Sequence, residues 1–494
     1  MTQLILRATL TGNNISLYGG VADLTPLSDE ALARTWIFAG AQSTGTMTRY
    51  QLDDLGTIQH RQSETISAST TYRISDAEVV GDDAPHLLVS AVETASIAAF
   101  AIGPDGSLGE QTTISAPLMG PVTQMEVIEA GGYSFVATGS RDSAGLRIYE
   151  WVDGETLAPR ATVTDHGKTA LGNVTDMAGL RVGGTEYLAV ASTTDEAVST
   201  YWIGTDGTPE LIDSLGIKDG MWIAGLDGLA TVAAHGESFV AVGATMSSSL
   251  TLLRVNDHGV MFQEDHLIDT LDTRFSRVDA LTGFEVGERG FLVVGGADDG
   301  LTLLEIMPDR SCHVRSTLVN SQGGAMENIV SLSAVSLTSE IQIVAAGQPG
   351  LTLATLDKTS IAAPLIGTGA ADDLVGGGRD DLIWGNAGDD ILTGGAGADI
   401  IAGGAGQDVL TGGDGADVFV FSADTGMDRV TDFQLGVDRI DVSAWGRIYD
   451  VQSLTIDDRW DGADLSFGDF SLRLSTLDPT RLTEIELTND CFIF

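Results

Sequence analysis

From Gly367 the chain repeats every nine residues through six units: GTGAADDLV, GGGRDDLIW, GNAGDDILT, GGAGADIIA, GGAGQDVLT and GGDGADVFV. The sixth position is always Asp: Asp372, Asp381, Asp390, Asp399, Asp408 and Asp417. The eighth is always large and apolar: Leu374, Ile383, Leu392, Ile401, Leu410 and Phe419. Glycine-rich positions one to four supply a tight turn with φ > 0 and free carbonyls, and the last three residues form a short strand. Two units then make one coil of a right-handed parallel roll, so loops on one edge recur every second unit. Strands of successive coils sit about 4.8 Å apart. Asp372, Asp390 and Asp408 therefore stack on one edge, and Asp381, Asp399 and Asp417 on the other. A flexible glycine linker would not hold Asp and an apolar residue in phase over six units.

Two ladders of stacked carboxylates repel each other, and one apolar residue per strand buries too little surface to offset that repulsion. A hard cation taking six to eight oxygen ligands fits between the loops. Loop carbonyls give a larger and less regular cage than magnesium prefers, which favours calcium. The lack of nearby His or Cys disfavours zinc.

These units resemble the GGxGxDxUx nonapeptide of RTX proteins, and the region is similar to the roll of secreted serralysin-type metalloproteases and RTX toxins. The resemblance implies that each calcium lies between adjacent loops on one edge, held by both position-six carboxylates and by carbonyls from positions one to four. Carried onto this chain, those carbonyl positions include Gly385, Gly388, Gly394, Gly395, Gly397, Gly403, Gly404, Gly406, Gly412 and Gly415. The best pairs are Asp390 with Asp408 and Asp399 with Asp417; Asp372 with Asp390 and Asp381 with Asp399 come next. Thr368, Ala370 and Arg379 depart from glycine in the first two units and weaken their sites.

The segment SADTGMDRVTDFQLGVDRIDVSAWG, residues 422–446, resembles the one that closes serralysin-type rolls. Its Asp428, Asp432 and Asp438 either add ligands or cap the roll. The sequence ends with Asp490 before four apolar residues, which resembles the uncleaved signal read by type I (ABC-transporter) secretion machinery. The opening residues MTQLILRATLTGNNISLYGG lack the basic patch and long apolar core of a secretory leader. The resemblance thus implies a bacterial extracellular protein exported through the type I route. Extracellular calcium modules bind at about 10⁻⁴–10⁻³ M, so the roll is expected to stay unfolded inside the cell and to fold on calcium outside.

Charge narrows the partners further. There are 25 Lys and Arg against 70 Asp and Glu, a net charge of −45. The long-range field repels nucleic acid and anionic membrane, and no apolar run reaches the ~20 residues of a membrane span. Outside the repeats, this acidity either attracts cations or keeps the chain soluble in salty surroundings. The two cysteines, Cys312 and Cys491, fall in different expected domains and imply no disulfide framework.

Before Lys358 a looser repeat of roughly fifty residues recurs seven times, each unit carrying strands joined by small-residue and Asp-Gly-like turns, as in HLLVSAVETASIAAFAIGPDG and SFVATGSRDSAGLRIYEWVDG. A β-only repeat of that length is the signature of a propeller blade, and seven blades close a ring. The expected fold is all-β: a seven-bladed β-propeller over 1–358, a linker over 359–366, the parallel β-roll over 367–425, and a cap with the secretion region over 426–494. The first part resembles lactonase-like or YVTN-type propellers in architecture.

Aligning the units places Asp23, Asp76, Gln124, Asp176, Asp227, Asp279 and Asn328 at one equivalent position on the innermost strands. This is either a polar ring at the channel mouth that binds a cation or polar ligand, or a set of structural aspartates each accepting backbone N–H groups of its own blade's turn. No HExxH, GxSxG or phosphate loop occurs, so no catalytic residue is assigned. Two functions stay open: a secreted calcium-binding protein whose propeller recognises an extracellular ligand or polysaccharide, or serves as a scaffold, and a secreted propeller hydrolase or lyase working at the channel mouth.

Overall fold

The computed structural model describes every residue except 1, 12–20, 30–33, 42–43, 54–56, 67–72, 82–83, 93, 115, 117, 119, 142, 271–272, 321–324, 349, 478–481, 484–485 and 494. The chain divides into two compact units, one over residues 3–356 and one comprising residues 1–2 with 357–494.

The first unit is a seven-bladed β-propeller of four-stranded antiparallel sheets. Blades 1 to 6 span residues 21–65, 74–113, 124–163, 174–216, 226–268 and 280–319. Blade 7 takes its three inner strands from residues 327–357 and its outermost strand, Ile5–Thr11, from the start of the chain. That strand pairs antiparallel with Gly350–Asp357 and so closes the ring with chain from both ends of the unit. Each innermost strand lies against the innermost strand of the next blade.

Sequence dictates where each strand sits. Central strands are sandwiched between neighbouring blades, so they read as apolar runs; in Arg289–Gly295 every residue is buried. Outermost strands such as Ile58–Thr65 are polar and mostly exposed. The glycine turns between third and fourth strands obey two constraints together. Gly106, Gly207 and Gly259 have φ of +73°, +79° and +76°, and a Cβ on any of them would overlap Trp36, Phe135 or Tyr187 respectively.

The second unit is a parallel β-roll of two sheets. One runs Leu365–Ile366, Leu382–Trp384, Ile400–Ala402, Val418–Val420, Arg439–Asp441 and Phe492–Ile493, all parallel. The other runs Asp373–Val375, Ile391–Ala396, Val409–Asp414, Met427–Val430 and Phe470–Ser475, then turns antiparallel through Gly462–Phe467 and Thr455–Arg459. The register steps by one coil: Leu374 faces Leu392, which faces Leu410, and Ile383 faces Ile401, which faces Phe419. Five of these eighth-position side chains (Ile383, Leu392, Ile401, Leu410 and Phe419) are completely buried in one core; Leu374, in the first coil, packs against it partly buried.

Two stretches differ from the expected boundaries. Leu365 and Ile366, expected in a linker, are the first roll strand, because they pair in parallel with Ile383 and Trp384. The segment after residue 425 supplies six further strands to the same two sheets, so roll and cap share one core. Among them, Phe492 and Cys491 are buried, and the Arg439 guanidinium donates to the Phe492 carbonyl at 3.0 Å.

Phe419 has no exposed surface and is among the largest core side chains of the roll. Phe419→Ala is expected to lower roll stability by about 3–5 kcal/mol. Urea denaturation in calcium should show this loss in the roll transition and leave the propeller transition unchanged.

Candidate metal centre

The loops of repeats three to six share one backbone. The second and fourth positions take positive φ, as at Gly404 (+96°) and Gly406 (+147°), and Asn386 fills a second position at +73°. A Cβ at Gly404 or Gly406 would overlap the Asn386 or Gly388 carbonyl of the coil below. Successive loops therefore stack backbone on backbone.

This stacking places the position-six aspartates in two ladders. On one edge the Asp372 N–H donates to Asp390 Oδ1 at 2.7 Å, and the Asp390 N–H to Asp408 Oδ1 at 2.8 Å. On the other, Asp381 donates to Asp399 Oδ1 at 2.8 Å, and Asp399 to Asp417 Oδ1 at 2.9 Å. One carboxylate oxygen is thus a structural acceptor that sets the coil spacing.

The other oxygen divides the repeats into two groups. Asp372 Oδ2 accepts the Thr368 N–H at 2.6 Å, and Asp381 Oδ2 accepts the Gly377 N–H at 2.7 Å. In the remaining four, Oδ2 of Asp390, Asp399, Asp408 and Asp417 is buried with no hydrogen-bond partner, and each residue is only 1% exposed. A Cβ on Gly385, Gly394, Gly403 or Gly412 would run into these same four oxygens. At Gly385 and Gly394 it would also meet the carbonyl oxygen of Gly403 or Gly412 in the next coil. Glycine at position one therefore keeps a small space open between unpaired oxygens.

Buried oxygens gathered without a donor are unfavourable alone and suit a hard, oxygen-seeking cation. Among the described residues no three His, Cys, Asp or Glu side chains gather to hold a metal. An ion here would take carboxylates in small number and complete its shell from carbonyls.

Residues 366–401 and 393–426 match the family model of the RTX calcium-binding nonapeptide repeat, in four copies. The second unit carries RTX calcium-binding repeats. The comparison with curated proteins finds no match for the chain. The match ends at residue 426, and the RTX ladders continue past it. Asp428 Oδ1 accepts the Asp408 N–H at 2.9 Å, and Asp438 Oδ1 accepts the Asp417 N–H at 3.1 Å. Asp432 instead spans the Gly412 and Gly413 N–H groups at 2.9 and 2.8 Å. Asp428 and Asp438 are thus the next rungs, while Asp432 caps a loop. The sequence offered both as ligands or caps without placing them on a rung, because the coil lengthens by two or three residues after Phe419.

Burial, and then neighbouring carboxylates, push these acids up. Asp399 is raised to about 7, Asp408 and Asp417 to about 6, and Asp428 and Asp438 to about 7; Asp390 is also raised. The metal-free RTX roll therefore holds protons that an unfolded chain, with carboxyls near 3.8, releases.

The propeller's equivalent residues meet a different fate. Asp23, Asp76, Gln124, Asp176, Asp227 and Asp279 all line one cavity of about 640 Å³. Asn328 does not line it; the blade 7 inner strand is irregular between Glu327 and Ser331, which leaves Asn328 exposed at φ +47° and brings Ser331 to the wall. Asp176 accepts its own strand's Met177 N–H at 2.9 Å and the next blade's Leu229 N–H at 2.6 Å. Asp76 does the same with Ala77 and Met125, and Asp23 accepts the Ala77 N–H of blade 2 at 3.3 Å. The Gln124 amide donates to the Thr175 carbonyl of blade 4. Asp227 differs: it pairs with Arg141 at 3.0 Å. Most of these side chains stitch one inner strand to the next.

Two cavity carboxylates were not singled out from sequence. Glu78 and Glu126 lie two residues beyond Asp76 and Gln124, on the same strand face. That period-two spacing was the available signal. Burial pushes Glu126 up to about 8 and Asp176 to about 7, and lifts Glu78 and Asp76 well above the carboxylate range, helped by neighbouring acids.

The raised carboxyls of the roll fix a sign. Their stabilisation is fully present below the unfolded value near 3.8 and is lost as pH rises through about 6–7. In chelator, the roll's thermal midpoint should therefore rise as pH is lowered from 7.5 to about 5. Saturating calcium should flatten or reverse that slope, because protons and metal compete for the same oxygens. Differential scanning calorimetry at several pH values, with and without chelator, reads both slopes.

Proposed function

We propose that this is an extracellular calcium-binding protein whose RTX roll completes its folding on calcium after type I export, and whose propeller is the extracellular recognition or scaffold domain. The observation that carries the reading is the set of four buried, unpaired Oδ2 atoms on Asp390, Asp399, Asp408 and Asp417. Calcium would be held between Asp390 and Asp408 and between Asp399 and Asp417, with carbonyls of the intervening glycine loops completing the shell. Asp372 and Asp381, whose second oxygens are taken by backbone N–H groups, would bind more weakly or only after that turn rearranges.

Calcium binding supplies folding free energy where it is abundant and withholds it where it is scarce. In a cytosol poor in calcium, the ladder carboxylates keep the roll open and threadable.

A second reading has its own support. Glu78, Glu126 and Arg141 line one side of the propeller cavity, and this asymmetry suits a hydrolase or lyase acting at the channel mouth. Lactone, phosphoester and polysaccharide panels, run with and without calcium, decide it; turnover lost in Glu126→Gln would establish it.

The leading reading is tested by calcium titration followed by circular dichroism. The β-signal and thermal stability of the roll should rise cooperatively with calcium and fall on chelation. The double variant Asp399→Ala, Asp408→Ala removes one rung from each edge. It should raise the calcium midpoint by roughly tenfold or more, since losing charged ligands costs at least about 1.4 kcal/mol. A signal indifferent to chelator would end the calcium-driven folding claim.

A further inference from the structure

The propeller cavity of about 640 Å³ is walled by seven acidic residues and a single cationic one, Arg141. The guanidinium is already engaged: it pairs with Asp227 at 3.0 Å, and its side chain is 50% exposed. Most of the acids are engaged as well, by the N–H groups that join one inner strand to the next. Glu126 belongs with them, since its Oε1 accepts the Gly179 N–H of blade 4 at 2.7 Å.

Glu78 breaks the pattern. It holds in blade 2 the position that Glu126 holds in blade 3, yet among the described residues it has neither a hydrogen bond nor an ion pair. It lies deep in the propeller, and the surface it keeps opens on the cavity. The charged groups that act most on it are all carboxyls: Glu126, Asp76, Asp23 and Asp176. An acid enclosed among acids, with no donor, is costly when ionised, and burial accordingly lifts Glu78 well above the carboxylate range. A cation brought into the cavity removes that cost. Arg141, held by Asp227, does not supply it.

The walls select the kind of cation. Among the described residues no three His, Cys, Asp or Glu side chains gather to hold a metal, so the cavity carboxyls are spread around the wall. Between them the wall is hydrocarbon, from Ile74, Met125, Met177, Leu229 and Leu281. Neutral polar partners are scarce. The Ser75 hydroxyl donates to the Thr123 carbonyl at 2.8 Å, and the Gln124 amide donates to the Thr175 carbonyl. A sugar would leave hydroxyls unpaired there. A chain of methylenes with ammoniums set along it matches both kinds of wall, and the volume is that of a small-molecule site.

We propose that the propeller cavity binds a linear aliphatic polyamine, with one ammonium received by Glu78 beside Glu126 and another by Asp279. The Asp279 carboxylate likewise has no hydrogen-bond partner among the described residues. The inference rests on the reading of the propeller as a recognition domain and names its ligand class. The ammoniums donate charge-assisted hydrogen bonds to carboxylates that give up protons on binding. Glu126 and Asp176 stand at about 8 and about 7, so polyamine binding tightens as pH rises from about 6 to about 8. An alkyl ammonium, with a pKa of about 10.4, keeps its charge over that range.

The test is isothermal titration calorimetry of the intact, calcium-loaded protein with spermidine, butylamine and neutral pentanediol. Spermidine should bind at one site per chain, roughly tenfold or more tightly than butylamine, the scale of an added charge-assisted contact. The diol should give no binding heat. Glu78→Gln keeps the side chain's shape and should weaken spermidine about tenfold. Its thermal midpoint should hold or rise, since an unpaired enclosed acid is gone, and this shows that the variant is folded. Glu110→Gln, on the exposed outermost strand of blade 2, removes a charge elsewhere and should leave the affinity unchanged. Equal losses in the two variants mean that spermidine answers only the overall charge of −45, and overturn the cavity. A calcium stoichiometry that falls by one in Glu78→Gln, or diol binding equal to that of spermidine, overturns the amine. Absence of spermidine binding overturns the inference; an oligosaccharide bound alike by the native protein and Glu78→Gln then leaves the recognition reading standing.

Discussion

The roll depends on one division of labour within a carboxylate. Oδ1 of each ladder aspartate accepts the backbone N–H of the aspartate one coil earlier, and this bond repeats along both edges from Asp372 to Asp428 and from Asp381 to Asp438. It fixes coil spacing, aligns the eighth-position side chains into one core, and at the same time commits the second oxygen to the interior. In four repeats that oxygen finds no donor. A structure that builds its spacing from carboxylates thereby creates a need for cations that backbone groups do not meet.

Glycine enforces the arrangement twice. At position one it keeps a Cβ out of the space that Oδ2 and a carbonyl of the next coil share. At positions two and four it allows the left-handed turn that lets loops stack in contact. The first two repeats, with Thr368, Ala370 and Arg379, lack positive φ among their residues, and there a loop N–H turns in to satisfy Oδ2. Loop sequence thus decides whether a ladder oxygen is offered to metal or to the protein.

How much of this was legible in sequence follows from how strictly each part is periodic. The nine-residue repeat carries its own register, so Leu392 facing Leu410 and Ile401 facing Phe419 could be read directly. The seven blades were legible from strand and turn spacing, but the closing strand Ile5–Thr11 was not, since it belongs to the last blade and lies outside the repeat. Asp428 and Asp438 were legible as ligand-or-cap candidates but not as rungs, because the coil lengthens where they join.

The aspartates of the two units show what separates a structural carboxylate from a binding one. Both sets recur by repeat, and burial raises the pKa of Asp76 and Asp176 in the propeller as it does that of Asp390, Asp399, Asp408 and Asp417 in the roll. In the propeller, Asp76 and Asp176 spend both oxygens on N–H groups, one of their own strand and one of the next blade. Their repetition is explained by blade-to-blade stitching, with no ligand required. In the roll, the same residue type has one oxygen satisfied and one left over at four successive positions. Repetition and burial alone do not distinguish these cases; the count of unsatisfied oxygens does. By that measure the metal chemistry of this chain lies along the roll edges.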